Sequence, residues 1–222
     1  MRSIVYNQDC LEAMRQMPDK AFDLAIVDPP YGLNITKIWG SAENGYRQWD
    51  KKEWDKMPPP SEYFAELRRV SRNQIVWGAN HFIEAFASNS AGWVIWDKGQ
   101  RDFTLADGEM AWTSFDRAMR IFNYSRAKMQ QENRIHINQK PVALYKWLLT
   151  NYAKQGDTIL DTHLGSGSSR IAAYDLGFDF TGYELDKDYF EAQEQRFANH
   201  IAQPKLFTPE TPDPEQTNLY EP

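Results

Sequence analysis

The motif Asp28-Pro29-Pro30-Tyr31 combines groups that can hold and polarise an amino group on an aromatic ring. The Asp28 carboxylate and the Pro29 backbone carbonyl are two hydrogen-bond acceptors, and the proline rings restrict the backbone around them. Acceptors on both N–H bonds would draw the nitrogen toward tetrahedral geometry, localising the lone pair for attack on a sulfonium methyl group. Tyr31 adds a flat ring on which an extruded base can stack. These four are candidate catalytic residues, although a four-residue match also fits an ordinary turn.

A second motif, Asp161 to Gly167, is typical of a turn that lets a ligand approach the backbone. Gly165 and Gly167 permit the tight turn, and the helix that follows favours a carboxylate at its N-terminus. Glu184 ends the next predicted strand, at the position where an acid binds ribose hydroxyls. A dinucleotide site has a third glycine where this chain has Arg170, which favours a smaller adenosine cofactor.

The elements that carry these motifs alternate between short apolar runs and helical periods, which predicts an α/β sheet. Leu24–Val27 and Thr158–Asp161 are predicted strands, so both motifs lie at carboxyl ends of strands, where ligands bind in such sheets. Met110–Thr113 and Met119–Asn123 are predicted to form an antiparallel pair. A helix is predicted over Ala79–Ala87.

The composition predicts a single cytoplasmic domain over residues 1–202. The chain has 222 residues, of which 41% are hydrophobic, enough for one substantial core. No apolar run is long enough to cross a bilayer, and the N-terminus lacks a signal-peptide pattern. The single cysteine, Cys10, excludes an internal disulfide framework and fits a reducing compartment. Four scattered histidines and one cysteine argue against a metal site.

The charge is uneven along the chain, although the formal net charge is −6. Residues 98–140 carry eight basic and five acidic side chains, an excess of three positive charges that fits either DNA binding or a solvated face. Residues 34–60 contain three tryptophans and five basic residues without a helical or strand period, which indicates a functional loop or a disordered one. The acidic, proline-rich tail 203–222 is predicted to be disordered.

The sequence resembles the amino-methyltransferases of the β group, a family of DNA methyltransferases in which the catalytic motif precedes the cofactor-binding motif. The resemblance spans about residues 4–197. It implies a Rossmann-like S-adenosylmethionine-dependent methyltransferase fold, with a mostly parallel, seven-stranded, circularly permuted sheet. Four elements match in order: Asp9-Cys10-Leu11, Asp28–Tyr31, His136–Pro141, and Asp161–Gly167 with Gly182-Tyr183-Glu184.

The resemblance also implies roles for seven residues at the cofactor, S-adenosylmethionine. These are Asp9 and Cys10 at the adenine ring, Glu184 at the ribose, Lys140 beside the carboxylate, and Asp161, Gly165 and Gly167 along the methionine part. A helix cap is the alternative role for Asp9, and a surface lysine for Lys140.

Two positions depart from the family pattern. The family usually has Asp-Pro-Phe where this chain has Asp161-Thr162-His163, and Pro-Thr where it has Ile137-Asn138. The loss of the aromatic residue removes one apolar cofactor contact, and His163 can fill the space by stacking.

The function that the resemblance implies is methylation of the exocyclic amino group of a flipped base in double-stranded DNA. Asp28 at the first motif position resembles the N6-adenine enzymes, whereas serine is commoner in N4-cytosine enzymes. Residues 34–60 and about 98–135 are the candidate DNA-contacting inserts, and a homodimer is common in that family. The alternatives are an N4-cytosine methyltransferase, the same chemistry on RNA or on a protein amide, and a catalytically impaired DNA-binding module.

Overall fold

The fold is that of a computed structural model, which describes residues 1–33, 55–86, 90–101, 106–130 and 134–203. Most of the predicted insert 34–60, including Trp39, Trp49 and Trp54, lies outside the described residues. So do residues 204–222 of the acidic tail and parts of the second predicted insert.

The described residues form one eight-stranded sheet with helices on both faces. Its order is β1-β8-β7-β2-β3-β5-β4-β6, and only β5 runs against the other seven strands. The strands are β1 (Ser3–Tyr6), β2 (Phe22–Val27), β3 (Ser71–Trp77), β4 (Trp93–Asp97), β5 (Gly108–Thr113), β6 (Arg120–Asn123), β7 (Thr158–Asp161) and β8 (Asp179–Tyr183). The predicted mostly parallel sheet is therefore confirmed, with one strand more than the seven expected.

The predicted antiparallel pairing of the segments around Met110–Thr113 and Met119–Asn123 is wrong. The first segment, β5, lies antiparallel between β3 and β4, and the second, β6, pairs with β4 in parallel. Alternating apolar residues indicate a strand but do not specify its partner, and the neighbour in sequence is not the neighbour in the sheet. The position of β5 matters for the site because this strand begins at the edge where the others end.

Two groups of helices cover the two faces of the sheet. Helices α4 and α5 pack with β2, β3 and β7 in one apolar cluster, whereas α1 and α2 pack on the opposite face. The helices are α1 (Cys10–Arg15), α2 (Ser61–Val70), α3 (Arg126–Gln130), α4 (Val142–Tyr152), α5 (Ser168–Leu176) and α6 (Lys187–Ala202). None of these helices is both long enough and apolar enough to cross a membrane.

Helix α2 shows why the local sequence folds in this way. Its buried residues Tyr63, Phe64, Leu67 and Val70 recur at three- and four-residue spacing, which places them on one helical face. Pro60, with φ near −66°, precedes the helix as its N-cap. Its backbone suits a helix start because proline fixes φ in this range.

The helix predicted over Ala79–Ala87 is replaced by two short 3₁₀ turns, Ala79–His81 and Ile83–Ala85. Gly78, at φ near +67°, lies in the left-handed region and turns the chain sharply away from β3. The tryptophans of the strands belong to the core: Trp77 and Trp96 are fully buried, and Trp93 and Trp112 pack against an apolar cluster.

Candidate active site

The two sequence motifs meet at one edge of the sheet because the strands that carry them are neighbours. Strand β2 pairs in parallel with β7, so that Ala25 lies beside Leu160, and both chains leave the sheet on the same side. A pocket of about 480 Å³ opens there. It is lined by both motifs and by three other segments: Gln8–Cys10, Asp28–Tyr31, His136 with Asn138–Lys140 and Tyr145, Thr162–Ser166, and Glu184–Asp186 with Tyr189.

The carboxylate of Asp28 accepts two hydrogen bonds from side chains inside this pocket. The Tyr31 hydroxyl donates to Oδ1 at 2.6 Å, and the Lys140 ammonium donates to Oδ2 at 2.5 Å. Burial raises the pKa of the Asp28 carboxyl, and the nearby Glu109 carboxylate raises it further, whereas Lys140 opposes both effects. Each carboxylate oxygen has a second lone pair, so both can still accept a hydrogen bond from a ligand.

Lys140 lies between two carboxylates. Its side chain is only 3% exposed, and Nζ is 3.0 Å from Oε2 of Glu109 as well as in contact with Asp28. The other oxygen of Glu109, Oε1, lies 2.6 Å from Nζ of Lys98. Burial alone would raise the pKa of Glu109, but the two ammonium groups bring it down to about 2. Four charged groups therefore alternate in sign from Lys98 to Asp28.

Hydrogen bonds and a ring contact hold the Tyr31 loop, and a glycine leaves space for its ring. The buried carboxylate of Asp55 accepts from the backbone N–H groups of Tyr31 and Gly32, each at 2.9 Å. The Tyr31 ring stacks on His81 with centroids 4.9 Å apart and an interplanar angle of 16°. A Cβ at Gly78 would lie 2.0 Å from the Tyr31 ring, so only glycine at this position leaves room for the ring.

On the other side of the pocket, Glu184 holds the glycine turn through backbone groups. Its two carboxylate oxygens accept from the N–H of Gly165 at 2.7 Å and of Asp186 at 2.9 Å. Burial raises the pKa of Glu184. Gly165 has φ near +51° and Gly167 near +72°, so both occupy the left-handed region that the tight turn requires.

Asp161 and Gly167 lie behind the pocket wall instead of lining it. Asp161 accepts from the Ser169 hydroxyl at 2.5 Å and from the His163 backbone N–H at 3.0 Å, which ties the end of β7 to the start of α5. Burial raises the pKa of Asp161 to about 7. Gly167 is the N-cap of α5, where a Cβ would lie 3.2 Å from the Gln193 side chain. Direct cofactor contact by these two residues stays a prediction.

Asp9 has the capping role that the sequence left open, and its contact with the cofactor adenine stays a prediction. Its side chain accepts from the backbone N–H groups of Leu11 and Glu12 and so caps α1, and it also lines the pocket. Cys10 lines the pocket beside it, and burial raises the pKa of its thiol to about 12. The thiol is therefore protonated at neutral pH.

His163 stands where the family usually has phenylalanine. Its Nδ1 lies 2.9 Å from Thr162 Oγ1, which is itself 2.6 Å from the Tyr63 hydroxyl, and its Nε2 faces the Cys10 sulfur at 4.0 Å. Burial lowers the pKa of His163 to about 4. A neutral ring, held by polar neighbours, therefore occupies this part of the wall.

The pocket brings together all the predicted site residues except Asp161 and Gly167. Three further residues of the site, Glu109, Asp55 and Gly78, are not among those that the sequence motifs predict. A single acid inside the otherwise uncharged strand Gly108–Thr113 is a signal that could have identified Glu109. No sequence pattern distinguishes Asp55 from the other charged residues of its segment.

Among solved structures, M1.HpyAVI in complex with SAM superposes on this chain with a TM-score of 0.58 at 20% identity. The match covers 87% of this chain and 98% of that one. The predicted Rossmann-like methyltransferase fold is thus confirmed.

Relatives among known proteins and a family model also match the sequence. Type II methyltransferase M.HinfI of Haemophilus influenzae is 26% identical over an aligned length of 238 residues. The match covers 85% of this chain and just under two thirds, 66%, of that protein. Type II methyltransferase M2.MboI of Moraxella bovis is 24% identical over 238 residues, covering 87% of this chain and 86% of that protein. The model of the DNA methylases, N6_N4_Mtase, matches residues 76–195, more than half of the chain, and the protein therefore belongs to the DNA methylase family.

Proposed function

We propose that this DNA methylase transfers the methyl group of S-adenosylmethionine to the exocyclic amino group of a DNA base, N6 of adenine. The observation that carries the proposal is the convergence of the Asp28 carboxylate and the glycine turn on one pocket. A carboxylate acceptor beside a nucleoside-sized cavity is what methylation of an amino group requires.

The pocket residues fit the cofactor in size and in chemistry. A volume of about 480 Å³ lies in the range of small-molecule sites. Glu184 and Asp9 offer carboxylate oxygens to ribose hydroxyls and to adenine N–H groups, and the neutral His163 offers a flat ring. Lys140 is the cation in the lining closest to Asp28, and its part beside the cofactor carboxylate stays a prediction. When bound, the cofactor supplies an electrophilic methyl group.

The residues of the catalytic motif act on the amine. The Asp28 carboxylate and the Pro29 carbonyl accept hydrogen bonds from the two N–H groups of the amine, and this localises the nitrogen lone pair. The negative charge of Asp28 stabilises the positive nitrogen that forms during transfer. Pro30 continues the rigid backbone that presents these acceptors. Tyr31 offers its ring to the base, which must leave the duplex to enter the pocket.

Adenine is the proposed base because Asp28, and not serine, begins the motif. The family model covers N6 and N4 enzymes together, so N4 of cytosine is the second candidate. Both bases present an exocyclic amino group to the same acceptors.

The wider setting of the reaction follows from the same proposal. We propose duplex DNA as the substrate, with residues 34–60 and about 98–135 in contact with it, and a cytoplasmic location where that DNA is accessible. A homodimer would place two such pockets on one DNA molecule.

The test uses duplexes that contain a single candidate adenine or a single candidate cytosine, assayed for methyl transfer under single-turnover conditions. We expect transfer to adenine, and a loss of about a hundredfold in rate for Asp28→Asn, which keeps the shape but not the charge. Asp19→Asn removes an exposed carboxylate outside the pocket and outside both proposed DNA-contacting segments, and is the matched control. Full activity of Asp28→Asn would remove the carboxylate from the mechanism, and transfer to cytosine would change the base but not the chemistry.

A further inference from the structure

We propose that Glu109 is a positioning residue that acts through Lys140: Lys140 holds Asp28 in its charged form, and Glu109 limits how far Lys140 neutralises it. The inference rests on the proposed function, because it concerns the charged groups that set the protonation state of Asp28, the proposed acceptor of the amine.

The geometry places Lys140 where it must serve two carboxylates at once. Its ammonium lies 2.5 Å from Asp28 Oδ2 and 3.0 Å from Glu109 Oε2, with a side chain that is 3% exposed. At this burial little water screens the three charges from one another. The Lys98 ammonium lies 2.6 Å from the other oxygen of Glu109, Oε1. It completes a set of two positive and two negative groups.

The sheet explains how residues so distant in sequence meet. Asp28 follows β2 and Lys98 follows β4, so both lie where those strands end. Strand β5 runs in the opposite direction, with Glu109 beside Trp96 of β4, so its first residues lie at the same edge. Lys140 comes from the segment that leads into α4. One reversed strand therefore brings a carboxylate into contact with Lys140.

The charges around Asp28 have opposite effects on it. A buried carboxyl without a cation tends to take up a proton, and a protonated Asp28 would accept poorly from an amine. Lys140 prevents this, but a lysine that paired with Asp28 alone would also weaken its acceptor strength. Glu109 draws part of the Lys140 charge to itself. The other titratable groups that act on Asp28 or are acted on by it are Tyr31, Tyr63, Tyr145 and Asp161.

The test is the pH dependence of the single-turnover rate at saturating cofactor and DNA. Asp28 is active when ionised, so the rate falls on the acid side of its pKa. Lys140→Met removes a positive neighbour, which raises the pKa of Asp28 and moves the acid limb to higher pH, on the order of one unit. Glu109→Gln removes a negative neighbour, which lowers that pKa and moves the limb to lower pH. Opposite shifts are the expected result.

Matched controls remove the same charges elsewhere. Lys146→Met and Glu66→Gln each break an ion pair outside the pocket lining and should leave the limb in place. If Lys140→Met does not fold, Lys98→Met replaces it in the experiment. This substitution leaves the charge of Glu109 less neutralised, so it should also move the acid limb of the pH–rate profile to higher pH, by a smaller amount.

Shifts in the same direction, or no shift in either variant, would overturn the role of Glu109 while methyl transfer by the wild type still supports the proposed function. A wild-type protein that transfers no methyl group to DNA would overturn both.

Discussion

The two sides of the pocket are held by different kinds of interaction. On the cofactor side, Glu184 accepts hydrogen bonds from the backbone N–H groups of Gly165 and Asp186, and the glycines of the turn have left-handed dihedral angles. On the catalytic side, Asp28 is held by Lys140 and Tyr31, and Lys140 in turn by Glu109. Both sides have a carboxylate that accepts from backbone N–H groups, Glu184 on the first and Asp55 on the second, but a buried network of charged side chains holds Asp28 on the second side.

This difference has consequences for what each side tolerates. Backbone hydrogen bonds at a turn persist as long as the strands on either side persist, so the cofactor side is preorganised by the fold itself. A buried ion-pair network carries a large desolvation cost, and the loss of one member leaves another charge without its partner. Substitutions on the catalytic side should therefore change rate and pH dependence, whereas those on the cofactor side should change ligand affinity.

The largest effect that would sharpen this comparison is expected for Glu184→Ala. The variant loses two hydrogen bonds between a carboxylate and backbone N–H groups, together with the proposed ribose contact. The proposed ribose contact is a hydrogen bond to a charged group, which contributes about 1.5–3 kcal/mol, so binding of S-adenosylhomocysteine should weaken by about tenfold or more. Isothermal titration calorimetry with S-adenosylhomocysteine measures this loss of affinity.

Asp28→Asn is the comparison for that experiment. It lies on the catalytic side and should bind S-adenosylhomocysteine as the wild type does. Normal binding by Glu184→Ala, or a comparable loss in Asp28→Asn, would erase the distinction between the two sides.

How much of the site the sequence predicts follows the same division. Asp28–Tyr31 and the turn at Gly165 were predicted because prolines and glycines at strand ends form local patterns. Glu109 and Asp55 are not predictable in this way, because Glu109 meets Lys140 through the pairing of β5, and Asp55 meets the Tyr31 backbone from 24 residues away in the sequence. Pairing partners depend on the whole sheet, which is also why β6 was assigned the wrong neighbour.

The fold class was accessible for a related reason. Alternating strands and helices leave few arrangements for the sheet, and the order of the motifs selects among them. The turn at Gly78 was not accessible, because the apolar run that follows it fits a helix equally well. Glycine is required at this position because a Cβ would lie 2.0 Å from the Tyr31 ring.

A smaller effect is expected for Tyr31→Phe, which keeps the ring and removes the hydroxyl. From the sequence alone this change should be nearly silent, since stacking needs only the ring face. The hydrogen bond from the hydroxyl to Asp28, 2.6 Å long, changes that expectation. Loss of a donor to the catalytic carboxylate should slow single-turnover transfer by about fivefold, equivalent to ~1 kcal/mol.

Tyr31→Ala separates the two parts of this role. It should lose the same hydrogen bond and also the stacking contact with the base, worth roughly 1–3 kcal/mol. A rate for Tyr31→Phe equal to that of the wild type would show that the hydroxyl does not support Asp28, and would weaken the contrast between a charged catalytic side and a backbone-held cofactor side.

The smallest effect concerns an ion-pair cluster outside the pocket lining, which shows what such pairs do where no chemistry depends on them. Asp175 on α5 accepts from Lys146 of α4 and His200 of α6, each at 2.7 Å, and so links three helices. Burial would raise the pKa of Asp175, but its two partners lower it below the ordinary range. Its stabilising contribution is therefore present above a pH of about 4 and is lost as the pH falls through the lower folded-state pKa.

Because solvent screens this partly exposed cluster, Asp175→Asn should reduce the free energy of unfolding by only about 0.5–1 kcal/mol at pH 7. Urea unfolding from pH 7 to pH 3, with Asp116→Asn as the control, should show this difference shrinking below about pH 4. Methyl transfer should be unchanged, and a large loss of activity in Asp175→Asn would mean that the charged groups of the helices and those of the pocket are coupled.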